Sequence, residues 1–390
     1  MNPVKTGLEV FIQSPPKWLV GHRLGILCNP ASVDSGFRHV RFLINDVLPG
    51  RITALFSPQH GFFSEKQDNM IESPHDVDPL LNVPVFSLYG KTRIPDRPMF
   101  EAIDTLIVDL QDVGTRVYTY ATTLSYCLEA AHRMDKAVVV LDRPNPLGGT
   151  AVEGNCLSQN DASFVGRYPI PMRHGLTLGE LALLINQHFG IHCRLHVIPM
   201  HGWRRSMLFC DTGLPWIAPS PNLPTVHTAM VYPGQVLWEG TNVSEGRGTT
   251  QPFEYFGAPY LNTGRFCKLV GDVAGIRLRE IAFEPTSNKW QGTLCRGFQI
   301  HIVDATRYLP YETSLRMLQV VLKLHREDGF EWKKPPYEYE YRRLPIDLII
   351  GDSLIRKRLE NQENPANIAA SWQKDLDGFK TLSKRFYLYA

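Results

Sequence analysis

Four polar stretches, each following a short apolar run in the first half of the chain, hold most of the side chains capable of chemistry. After residues 51–56 come Ser57, Pro58, Gln59, His60 and Gly61, then Glu65 and Asp68. Residues 83–88 lead into Tyr89 and Gly90. Residues 105–110 lead into a stretch that includes Asp109, Asp112, Arg116, Tyr118 and Tyr120. Residues 137–141 lead into Asp142, Arg143 and Asn145, with Glu153 close behind. Carboxylates interleaved with arginines and aromatic rings suit sugar chemistry. Glycosidic cleavage passes through a cationic transition state, which calls for a carboxylic acid at the leaving oxygen and usually a second carboxylate across the bond. Arg116 and Arg143 offer bidentate recognition of a substrate carboxylate. Taken singly, each strand-end Asp also fits a helix cap or an internal ion pair. Tyr118 and Tyr120 also fit a core, and His60 and His174 fit structural hydrogen bonding. Four strand ends enriched in this way are harder to explain by packing alone.

Two further segments carry candidates. Arg173 and His174 precede a helix opened by Thr177 and Glu180, whose three-residue spacing matches a capping box. Later, Glu239, Asn242, Glu245 and Arg247 lie in a loop rich in Gly, Ser and Thr, a composition able to wrap a polar ligand. This loop is expected to close over the cleft. His192 and His196 share one face of a strand-like segment, and no HExxH pattern occurs, so no metal is expected, a metal-dependent hydrolase being the weaker alternative. Neither GxSxG, GxGxxG nor a P-loop is present, and no cofactor is expected.

These residues need a scaffold. Buried runs alternating with helical patterns predict an α/β fold: a Rossmann-like, doubly wound, mostly parallel sheet over residues 1–229. Ligands in such folds bind outside the carboxyl ends of the strands, which is where the polar stretches fall. Residues 216–233, rich in Pro and Asn, read as a surface linker. Less regular alternation afterwards predicts a smaller α+β domain over residues 230–390. The 390 residues are 43% apolar and 21% charged, with a formal net charge of +2. Nothing in that charge steers the chain to nucleic acid or a membrane. The N-terminus lacks the apolar run of a signal peptide, so the expected location is the cytoplasm. Seven dispersed cysteines without a CxxC pair suit reduced, buried thiols.

The motifs SPQHGFF, DLQDVGTRVYTY, LDRPNPLGG, RHGLTLGELA, SPNLP and EGTNVSEGRGT together resemble the NamZ-like exo-β-N-acetylmuramidase family, once a domain of unknown function. The resemblance spans nearly the whole chain. It implies a glycoside hydrolase releasing N-acetylmuramic acid from the non-reducing end of peptidoglycan fragments, in cell-wall turnover or recycling. It also implies a Rossmann-like domain holding most of the active site. Arg116, Arg143 or Arg247 would then clamp the lactyl carboxylate of the sugar. In the family's usual Ser-Pro-Glu-His-Gly motif, the Glu is the leading candidate for the acid; here Gln59 takes its place, and an amide is no acid at neutral pH. Three readings follow. Glu65 carries the proton; Gln59 positions water or the acetamido group while another carboxylate, such as Asp112, acts; or the chain is a binding protein or a homologue of altered specificity.

Overall fold

The computed structural model describes residues 3–67, 70–90 and 92–390, so Asp68 lies outside the described residues. The apolar runs of the first half become β1 (Leu24–Cys28), β2 (Ile52–Ser57), β3 (Asp76–Val77), β4 (Pro84–Ser87), β5 (Thr105–Asp109) and β6 (Ala137–Leu141). An antiparallel pair, β7 (Glu153–Cys156) and β8 (Pro171–Arg173), precedes β9 (Arg194–Ile198). Seven of these strands form one sheet in the order β3-β4-β2-β1-β5-β6-β9, parallel throughout except at the β3 edge. The chain runs from β1 outward to β2 and β4, then crosses to the other side of β1 for β5. The crevice of a doubly wound sheet opens at such a reversal.

β1, β5 and β6 are buried at every position, which is why their sequences do not alternate in polarity. Their side chains still alternate between faces. Ile26, Ile107 and Val139 pack on one side with Leu8, Phe11, Val40 and Ile44. Leu27, Val108 and Val140 pack on the other with Phe100, Leu124 and Leu128. That second layer continues without a break into the C-terminal part, through Trp238, Phe256, Phe298 and Leu318. There, β10 (Tyr255–Ala258), β11 (Ile276–Phe283) and β12 (Cys295–Ile302) form an antiparallel sheet in the order β10-β12-β11. Helices Thr263–Val270 and Pro310–His325 pack near it, and four shorter helices follow.

The expected surface linker is only partly that. Its second half is the helix Val226–Gln235, capped by the Thr225 hydroxyl and packed on Pro310–His325. The two backbones come so close that a Cβ on Gly234 would sit 2.0 Å from the Pro310 carbonyl oxygen. Pro233 sits in the last turn of this helix, and its ring suggested a break where the helix in fact continues. The chain's end returns to the first sheet, with the Tyr389 hydroxyl donating to Asp142 at 2.6 Å. Among the described residues no helix is long and apolar enough to cross a membrane.

Candidate active site

Loops from both halves meet in a narrow cleft at the carboxyl end of the parallel sheet. Gln59 enters it from the turn after β2, where His60 adopts a left-handed φ of 78°. The Gln59 carbonyl accepts from the Thr119 hydroxyl at 2.7 Å. Its amide donates to Glu338 Oε1 at 3.1 Å and to the Tyr89 hydroxyl at 3.3 Å. Tyr89 in turn donates to Glu338 Oε2 at 2.6 Å. Both oxygens of Glu338 are thus held by neutral donors from the N-terminal half. Tyr118, Tyr120, Tyr232, Phe253 and His60 are among the other residues that line it.

Glu239 is the second carboxylate lining this cleft. Its Oε1 accepts from Arg247 and its Oε2 from the Tyr337 hydroxyl, both at 2.6 Å. The two carboxyls are pushed in opposite directions. Burial raises the pKa of Glu338 and outweighs its bonds to Tyr89 and Gln59, while the nearby Glu239 charge adds to the rise. Burial also opposes ionisation of Glu239, but the Arg247 charge and the Tyr337 hydroxyl overcome it and lower its pKa. Two carboxyls in one cleft whose surroundings push them apart in this way are the arrangement that separates an acid from an anion in acid-assisted cleavage.

Most of the other residues expected at the site are brought together as scaffold instead. Asp109 and Arg143 form a bidentate ion pair at 2.6 and 2.8 Å, with Asp109 fully buried. Asp142 accepts from Thr177, Gly179, Tyr389 and the Arg143 backbone, and burial raises its pKa to about 6. Asn145 bridges Leu147 and Leu176 beneath Gly114, where any Cβ would lie 2.3 Å from its amide oxygen. Arg116 donates to four carbonyls, those of Asn155, Ile170, Ile349 and Ile350, and so ties the two halves together. Glu153 accepts the Glu312 N–H at the start of helix Pro310–His325. Asp112 accepts from Gly114 through one oxygen and lies 3.7 Å from His174; burial raises the acid to about 7 and lowers the histidine to about 3. Glu245 is held by Arg247 and Lys289, and Asn242 by Gly329 and Tyr260.

Glu65 lies apart from this cleft. It is exposed, accepts the Phe63 N–H at 3.2 Å and lines a separate pocket with Ser73, Asp76 and Asp78. The five residues between it and Gln59 include a reversal at His60 and Gly61, both at positive φ, which turns it out of the cleft. The arginines expected to clamp a substrate carboxylate are occupied too: Arg116 by carbonyls, Arg143 by Asp109 and Arg247 by Glu239. Arg93 is different. Its guanidinium lies 3.6 Å from the Tyr339 ring centroid and 4.7 Å from that of Phe164, beside the cleft, and its Nε has no hydrogen-bond partner among the described residues.

A family model described as exo-β-N-acetylmuramidase NamZ, N-terminal, matches residues 24–227, and its C-terminal counterpart matches residues 230–389. The chain belongs to the NamZ family. Peptidoglycan β-N-acetylmuramidase NamZ of Bacillus subtilis (strain 168) is 40% identical over 388 residues, covering 99% of this chain and 91% of the relative. Two crystal structures of DUF1343 family proteins from Bacteroides fragilis NCTC 9343 are also similar. One superposes with a TM-score of 0.89 at 33% identity, covering 100% of both chains. The other has a TM-score of 0.75 at 30% identity, covering 99% of both.

Within this NamZ fold, the residue that sequence reasoning missed is Glu338. Its segment, Pro335-Pro336-Tyr337-Glu338-Tyr339-Glu340-Tyr341, alternates rings with carboxylates. That pattern, so far from the strand-end loops, was the available signal.

Proposed function

We propose that this chain removes N-acetylmuramic acid from the non-reducing end of peptidoglycan fragments, in the cleft lined by Gln59, Glu239 and Glu338. Membership of the NamZ family makes it a glycoside hydrolase acting on muramic-acid-containing substrates in cell-wall recycling. The observation that carries the choice of cleft is its pair of buried carboxyls, Glu338 held by the neutral Gln59 and Tyr89 and Glu239 held by Arg247 and Tyr337. The tyrosine-rich walls suit the apolar faces of a sugar ring. Arg93 supplies a cation for the lactyl carboxylate that distinguishes muramic acid from glucosamine, since a guanidinium binds a carboxylate through paired N–H donors.

The test is direct. Purified protein is incubated with muropeptide fragments ending in N-acetylmuramic acid and, separately, in N-acetylglucosamine, and the freed sugars are quantified. Release from the muramic terminus alone is expected. Folded protein that liberates neither sugar at any pH between 4 and 9 overturns the reading. Calorimetric binding of the sugar with no release identifies a carbohydrate-binding protein instead.

A further inference from the structure

Gln59 cannot supply a proton as an acid, yet its amide is directed at a carboxyl group from the other half of the chain. We propose that Glu338 gives the proton to the glycosidic oxygen, and that Gln59 and Tyr89 are positioning residues that hold its carboxyl in the cleft. This assignment rests on the glycosidase reading above.

Local geometry supports it. Tyr337 and Glu340 exchange both backbone hydrogen bonds, at 3.0 and 2.9 Å, leaving Glu338 and Tyr339 as the two central residues of a tight turn. Both take left-handed φ values, 47° and 66°. A two-residue turn with positive φ at both centres ordinarily takes Asn-Gly or Asp-Gly. A Glu and a Tyr there are strained, and strain of this kind gathers at functional sites. The result is a long carboxyl side chain turned inward from a loop that would otherwise present it to solvent.

Chemistry supports it as well. The bonds from Tyr89 and Gln59 use one acceptor position on each Glu338 oxygen, which leaves another on each for a proton and a substrate oxygen. The charged and titratable groups facing it are Tyr89, Glu239, Arg93, Tyr232, Tyr337 and Tyr339. Among them Glu239 opposes a second negative charge and favours protonated Glu338, while Arg93 acts against it. In the step itself, the C1–O bond breaks and its electron pair leaves on the glycosidic oxygen, which takes the Glu338 proton. The Glu239 carboxylate faces the positive charge that develops at the sugar. Water then forms the new C1–O bond, and the proton it sheds returns through solvent to the Glu338 carboxylate. One water is consumed in each cycle.

Kinetics on two N-acetyl-β-muramides tests this: one with a sugar as leaving group, and one with dinitrophenolate, which leaves without protonation. Glu338→Gln should lower kcat/KM for the sugar-linked substrate by about 10²–10⁴-fold, the usual range for general acid catalysis, and for the aryl substrate by under about tenfold. Equal losses on both substrates, or near-normal turnover of the sugar-linked one, overturn the proton-donor role. Wild-type protein that cleaves neither overturns the glycosidase reading and this assignment with it. Tyr89→Phe provides a check independent of the folding of Glu338→Gln. Tyr89 stabilises the ionised form, so its removal should raise the pKa of Glu338 and move the alkaline limb of the kcat/KM profile upward. An unmoved limb overturns the assignment.

Discussion

The loops after β5 and β6 and the turn at Glu338 are both dense in carboxylates, yet the structure uses them in opposite ways. In the loops, Asp109, Asp142, Asn145 and Arg116 make bonds that close on the protein itself. Around Glu338, the donors leave acceptor positions open and the carboxyl faces a cleft. The difference lies in the partners: Arg143 holds Asp109, whereas neutral Tyr89 and Gln59 hold Glu338. Asp109 and Asp142, saturated by Arg143, side-chain hydroxyls and backbone N–H groups, serve as structure. Glu338, held by neutral groups beside Glu239, keeps acceptor positions open to the cleft.

Substitutions on either side of this comparison should separate stability from rate. The largest effect is expected on the structural side. Arg143→Met strands the fully buried Asp109, and losing one partner of a buried ion pair costs about 3–5 kcal/mol. The midpoint of chemical denaturation should fall accordingly while kcat of the remaining folded protein stays near wild type. A collapse of kcat without loss of stability would move the Asp109–Arg143 pair into the chemistry. Next is Arg93→Met. A hydrogen bond to a charged group contributes about 1.5–3 kcal/mol, so KM for a muramic-terminated substrate should rise roughly 10- to 100-fold. An unchanged KM would remove Arg93 from carboxylate recognition. The smallest effect is expected at Glu65. Because that side chain is exposed and turned out of the cleft, Glu65→Gln should change kcat/KM by less than about twofold. A hundredfold loss there would return the proton to Glu65 and undo the contrast.

Much of the scaffold was legible in residue order. Runs such as residues 137–141, apolar at every position, announce strands buried on both faces, and Thr177 with Glu180 announces the helix start that both side chains do cap. The helix at Val226–Gln235 was hidden because Pro233 and the preceding Pro-rich stretch mimic a break, and only its packing on Pro310–His325 overrides that local preference. At the site, the loops holding Gln59, Tyr118, Tyr120, Glu239 and Arg247 were visible as polar stretches, and all five residues line the cleft.

Residue order thus established the α/β class, the polar strand ends and the family, because each depends on spacing within a few tens of residues. Which carboxylates face a substrate and which are internal ties depends on partners far away in the chain. Gln59 meets Glu338 across 279 positions, and Arg116 meets Ile350 across 234. Local spacing carries no information about such distant pairings. Folding brings these groups together and sets the burial and neighbouring charge that raise the pKa of Glu338 and lower that of Glu239.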